Sequence, residues 1–150
     1  MVTIVVIAHR PLASALLEAA RHVYSRDPCA ASRQMVCMDV APDADIGAAV
    51  AQAGELLREV DRGQGVLVLT DVAGATPGNV AARLAEPGRV AVVSGVNLPM
   101  LLRGLCYGSS SLAELVAKVL SGGVNGVQEI AAPSANAGTF AAPVAAPGQR

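Results

Sequence analysis

Aromatic residues make up only 2% of this 150-residue chain: no Trp, one Phe (Phe140) and two Tyr (Tyr24 and Tyr107). Base-stacking and sugar-stacking platforms are built from rings, so a nucleic-acid or lectin-type surface is excluded from the outset. An excess of positive charge is missing too. Eleven basic residues against twelve acidic ones give a net charge of −1, which provides no footprint for DNA or an anionic membrane. Lysine occurs once, at Lys118, and no Gly-Lys-Ser/Thr triplet is present, so there is no Walker A loop. A GxGxxG fingerprint at the first helix is absent as well, which argues against a dinucleotide cofactor. The three cysteines, Cys29, Cys37 and Cys106, are odd in number and form no CxxC pair. A disulfide framework and a zinc site are both disfavoured, and a reduced compartment is expected. Val2–Ala8 is too short for a signal-peptide core and has no basic segment before it. The apolar stretch Val90–Leu102 is broken by Gly95, Asn97 and Pro99, short of the roughly 20 residues a membrane span needs. The expectation is a soluble cytoplasmic protein without membrane insertion.

What is present is Ala, Val and Leu: 53% of the chain is hydrophobic. Short β-branched runs alternate with amphipathic stretches. Val2–Ala8, Gln34–Val40, Gly65–Thr70 and Arg89–Ser94 read as strands, the first and third buried on both faces. Helical spacing follows Pro11 through Leu12, Leu16, Leu17, Ala20 and Val23, and recurs over Asp45–Val60. Shorter helices are expected over Pro77–Glu86, with Thr76 as N-cap, and over Pro99–Leu105, capped by Asn97 or Leu98. Ser111-x-x-Glu114 is a capping-box pattern opening a helix to about Leu120, with Gly122-Gly123 as its stop. This alternation means βαβ units and a parallel sheet. Val124–Ile130 reads as a short last strand at the sheet edge. From Ala131 onward the chain is Ala, Pro and small polar residues, so the domain is expected over 1–130 and a disordered tail over 131–150.

Ligands of open α/β sheets bind beyond the carboxyl ends of the strands, so the loops there carry the functional candidates. The first strand is followed by Ala8-His9-Arg10-Pro11-Leu12 and the third by Asp71-Val72-Ala73-Gly74-Ala75-Thr76-Pro77-Gly78-Asn79. Ser94-Gly95-Val96-Asn97-Leu98-Pro99-Met100 follows the fourth. A neutral imidazole is a competent nucleophile toward phosphorus, which makes His9 the sharpest candidate, although a lone strand-end His is often structural. If the first and third strands are neighbours, Asp71 reaches one ring nitrogen of His9 and frees the other; otherwise it is an ordinary turn residue. Gly74 and Ala75 would let backbone N–H groups approach an anion, and the Thr76 hydroxyl is either a donor to it or simply an N-cap. Arg10 suits a phosphoryl group, an acidic partner or a plain surface position. His22 lies on a solvated helix face, while Cys37 and Cys106 read as small core residues and Cys29 as a loop thiol.

In this order, the segments IVVIAHRPLASALL, DVAGATPGNVA and VVSGVNLPMLL resemble the IIA component of the mannose family of the bacterial phosphoenolpyruvate-dependent sugar phosphotransferase system. The likeness covers about residues 1–130. It implies a flavodoxin-like α/β domain: an open, mostly parallel sheet, helices on both faces, and a homodimer whose last strand is often exchanged. It also implies a phosphohistidine carrier that accepts a phosphoryl group from phospho-HPr and passes it to a IIB domain in sugar uptake. The carrier histidine falls on His9 and the orienting carboxylate on Asp71. Donors to the phosphoryl group fall on Gly74, Ala75 and Thr76; beside them, Arg10 and Asn97 are this chain's own candidates for a phosphate or partner contact. No metal or other cofactor is implied. Two departures from the family pattern stand out. Arg10 replaces the Gly that commonly follows the histidine. Ala75 and Gly78 stand where a second Gly and a Phe are usual. A phosphotransferase subunit of a dihydroxyacetone kinase and a regulatory phospho-switch are the alternatives. A histidine phosphatase fits less well, because Ala8, not Arg, precedes His9.

Overall fold

The computed structural model describes residues 1–27 and 34–134. In chain order the elements are β1 (Thr3–His9), α1 (Leu12–Val23), β2 (Met35–Val40), α2 (Ile46–Val60), β3 (Val66–Thr70), α3 (Thr76–Ala82), β4 (Val90–Ser94), α4 (Leu98–Tyr107) and α5 (Leu112–Asn125). The four strands form one open sheet of order β2-β1-β3-β4, parallel at every junction.

The two central strands explain the composition. Thr3–Ala8 of β1 and all of β3 are buried, which demands near-continuous apolar sequence because helices cover both faces. Alternate residues of β1 face opposite ways. Ile4, Val6 and Ala8 pack with Leu17 of α1, Leu101 of α4 and Leu115 of α5. Val5 and Ile7 pack with Ala53 and Leu57 of α2 and Val80 of α3. The one buried hydroxyl inside β1, Thr3, is satisfied by donating to the Val60 carbonyl at 3.0 Å. Each fully buried Val or Leu contributes about 1.5–3 kcal/mol, so small aliphatic side chains suffice without aromatic bulk. From β1 the chain steps to β2 on one side and then returns to β3 on the other. That reversal opens a crevice between the carboxyl ends of β1 and β3.

Several boundaries differ from expectation. The Gly122-Gly123 pair does not stop α5, which runs to Asn125. Both glycines are buried against α4: a Cβ on Gly123 would lie 2.7 Å from Met100 Cγ, and one on Gly122 would run into the Arg103 side chain. Close helix packing thus outweighs the helix propensity lost, about 1 kcal/mol per glycine. The last strand expected over Val124–Ile130 is not formed. Its first residues belong to α5, and the remainder leaves the helix without a strand partner, with Val127 79% and Ile130 93% exposed. The helix expected over Pro77–Glu86 ends at Ala82, because Glu86 instead pairs with Val90 through two backbone hydrogen bonds around a turn at Gly88 (φ 77°). Thr76 is the first residue of α3 and not its cap; Ala75 occupies that position. Asn97 caps α4, and the capping box at Ser111 and Glu114 is complete.

Residues 131–134 are exposed and carry no regular structure. The remainder of the expected tail, 135–150, and the thiol of Cys29 lie outside the described residues. Among the described residues, no helix is long and apolar enough to cross a membrane.

Candidate functional site

His9 is the last residue of β1, and Asp71 directly follows β3, its hydrogen-bonded neighbour. The parallel register therefore delivers an imidazole and a carboxylate to the same edge of the sheet. Their contact is close: His9 Nδ1 lies 2.6 Å from Asp71 Oδ2. The same oxygen accepts the backbone N–H of His9 at 2.9 Å, and Oδ1 accepts the N–H of Val72 at 2.9 Å. Exposure separates the two side chains, at 49% for His9 and 8% for Asp71. Burial is the largest single influence on Asp71 and pushes its pKa up. The N–H of His9, the His9 ring and the N–H of Val72 together outweigh it and hold the carboxyl below its ordinary range. An ionised Asp71 can only accept, so Nδ1 is the ring nitrogen that donates to it, and Nε2 is left without a partner among the described residues.

Beyond Asp71, residues 72–74 form an exposed turn that reaches α3. Gly74 has φ 85°, a conformation that favours glycine, and its carbonyl accepts from the Asn79 side chain at 3.2 Å. The hydroxyl of Thr76 has no hydrogen-bond partner among the described residues, which leaves it available to a ligand. Gly78 is buried beneath this turn. A Cβ there would sit 2.6 Å from the Val72 carbonyl oxygen, so the turn packs closer than any side chain at 78 allows.

Other candidates fall elsewhere. Arg10 is exposed, its N–H continues the ladder to the Val40 carbonyl at 3.0 Å, and its side chain borders a depression of about 280 Å³ shared with Asp39, Asp45 and Gln52. It forms no ion pair among the described residues, and the β2 side of His9, away from Asp71, is where it lies. Asn97 is occupied with structure. Its Oδ1 accepts from the Met100 N–H at 3.0 Å, and its Nδ2 donates to the Gly123 carbonyl at 3.3 Å. His22 lies exposed in the last turn of α1. Cys37 is half-buried, its thiol pushed up first by burial and then by Asp39, against an opposing Arg21; Cys106 is exposed. Among the described residues no His, Cys, Asp and Glu side chains cluster in a way that could hold a metal ion.

A cavity of about 410 Å³ lies at the opposite, amino end of β3, between Leu57, Leu84 and the ion-paired Arg89 and Asp61. It contains no nucleophile. Sequence reasoning missed one contributor beside the site, Asp39, whose Oδ1 accepts the Ser14 N–H at 3.2 Å. The available signal was the Pro at 11, which leaves the start of α1 without a capping side chain of its own.

The model of the family described as the PTS system fructose IIA component matches residues 3–120. The mannose-specific EIIAB component of Escherichia coli K12 is 33% identical over 117 residues, covering 73% of this chain and 36% of that protein. A second E. coli K12 protein, the putative phosphotransferase enzyme IIA component YadI, is 48% identical over 48 residues, which are 31% of this chain and 33% of that one. The chain thus spans about a third of the length of these curated relatives. Among solved structures, the mannose/sorbose-specific IIA subunit from Enterococcus faecalis superposes with a TM-score of 0.73 at 25% identity, covering 88% of this chain and 96% of that one.

Proposed function

Because the chain belongs to the family of PTS system fructose IIA components, we propose that it is a phosphohistidine carrier with His9 as the acceptor. The observation that carries this reading is the 2.6 Å contact between Nδ1 and Asp71 on a side chain that is 49% exposed, which engages one ring nitrogen and leaves Nε2 for the phosphoryl group.

In the proposed step the Nε2 lone pair attacks the phosphorus of phospho-HPr. A new N–P bond forms at His9 as the N–P bond of the donor histidine breaks, and the donor imidazole departs with that electron pair. The His9 ring, still protonated at Nδ1, becomes formally cationic, and the Asp71 carboxylate compensates that charge. The backbone N–H of Gly74 and the Thr76 hydroxyl receive the phosphoryl oxygens, and the Ala75 N–H, which donates to the Val72 carbonyl at 3.4 Å, leaves that bond to join them. The second step reverses the first toward a IIB protein, in sugar uptake. One nitrogen is exchanged for another, so positioning and charge compensation are all that the chemistry asks of the protein. We place this activity in the cytoplasm and in a homodimer. Supporting the dimer, Val124 in the last turn of α5 and Val127 and Ile130 just beyond it are 75%, 79% and 93% exposed, three aliphatic side chains open to a second copy.

Incubation with phosphoenolpyruvate, Enzyme I and HPr is expected to put acid-labile, base-stable label on His9. Label that persists in His9→Ala would overturn the assignment.

A further inference from the structure

Asp71 grips the end of β1 from β3, and a second carboxylate grips the chain beyond it from the other neighbour, β2. Helix α1 has Pro11 in its N-cap position, and Pro11 provides no side-chain hydrogen bond. The first N–H groups of a helix need outside acceptors, and the third helical residue is where a capping side chain usually bonds. Here that residue is Ser14, and Oδ1 of Asp39 accepts its N–H at 3.2 Å from across the strand boundary. The register allows this, since Asp39 pairs with Ala8 and Val40 with His9. Ser14 closes the arc by donating its hydroxyl to the Pro11 carbonyl at 3.1 Å. The arc 9–14 is therefore pinned at three points: His9 to Asp71, Arg10 to the Val40 carbonyl, and Ser14 to Asp39. Only the last of these uses a side chain from β2.

We propose that Asp39 is a positioning residue for His9. By capping α1 in place of Pro11 it fixes the arc on which the imidazole is mounted, and so the direction in which Nε2 points. The proposal rests on the reading of His9 as phosphoryl acceptor. An acceptor oxygen, and not the negative charge, is what the geometry uses, so Asn at this position retains the function and Ala loses it.

The test compares wild type, Asp39→Ala and Asp39→Asn by single-turnover transfer from phospho-HPr, by partner affinity, and by the 15N shifts of the His9 ring in the free protein. Asp39→Ala is expected to transfer about ten- to a hundredfold more slowly, the scale of loss when a reacting group is misplaced by about an ångström. Its HPr affinity stays unchanged and its His9 ring signals shift. Asp39→Asn is expected within about threefold of wild type with unshifted ring signals, because Asn and Asp cap helices about equally well. A folded alanine variant with wild-type rate and ring signals would overturn the proposal, as would an asparagine variant as slow as alanine. Should Asp39→Ala fail to fold, Asp39→Glu, which displaces the carboxylate by one methylene, must show the same slowing. The two readings fail separately. A wild type that takes no label while the ring signals follow the expected pattern refutes the carrier role and leaves the positioning intact.

Discussion

Replacing Asp71 by Asn changes one atom and confronts the site with a contradiction. Both carboxylate oxygens accept backbone N–H groups, Oδ2 from His9 and Oδ1 from Val72, each at 2.9 Å. An amide has one acceptor and one donor end, so in either orientation its NH2 faces a backbone N–H. With the NH2 toward His9, the ring must turn Nδ1 into an acceptor, which moves its proton to Nε2 and removes the nucleophile. With the NH2 toward Val72 the correct tautomer survives, but the charge that compensates the cationic ring is gone. A hydrogen bond to a charged group is worth about 1.5–3 kcal/mol net, and 1.36 kcal/mol is a factor of ten in rate. Loss of the charge alone thus slows transfer about ten- to 150-fold, and population of the wrong tautomer carries the loss further, toward about 10⁴-fold. Rapid-quench measurement of label moving from phospho-HPr to the protein reads this rate directly. Circular dichroism and a melting curve, with a loss of about 1–3 kcal/mol for the unmet N–H, show that the fold is retained. A folded Asp71→Asn variant transferring within twofold of wild type would refute the tautomer argument.

The pKa of Asp71 is lower in the folded chain than in the unfolded one, so its stabilisation is fully present above the ordinary carboxylate value and is lost as pH falls through the depressed one. Urea denaturation from about pH 5 to about pH 2 should accordingly show a shallower loss of stability in Asp71→Asn than in wild type. Gly78→Ala puts a methyl against the Val72 carbonyl, and overpacking of this kind costs about 1–3 kcal/mol, visible as a lowered Tm and, because Val72 adjoins Asp71, a slower transfer. Thr76→Val keeps the shape and removes the unpartnered hydroxyl; transfer should fall about tenfold with Tm nearly unchanged, and an unaltered rate would take Thr76 out of the phosphoryl site.

The central sheet was legible because burial on both faces forces near-continuous Val, Ile and Leu into β1 and β3, and that pattern has few other readings. The candidate pair was legible for a related reason. Once two parallel strands are neighbours, whatever follows each one shares an edge. Glycine was where local rules failed. Gly122 and Gly123 carry the propensity of a helix stop, but they are consumed in the contact with Met100 and Arg103, which no local pattern announces. Asn97 carries its long-range contact in the same unannounced way: the cap on α4 follows from its position before the helix, whereas the bond of its amide to the Gly123 carbonyl, 26 residues on, has no local signal. Asp39 escaped notice because a cap is sought on its own helix, and here it comes from the adjoining strand.

One oxygen of Asp71 holds both the ring of His9 and the N–H of the same residue. The carboxylate that orients the imidazole is thus itself anchored to the strand that carries the ring, so the ring's direction is referred to the end of β1. An ordinary histidine on a surface sweeps a cone and meets a partner from many angles. This one offers a single line of approach, set by the sheet. Under the proposed relay, a donor and an acceptor would both have to arrive along that line, so two partners with unrelated sequences would need reacting groups presented at a common angle, and each would exclude the other while bound.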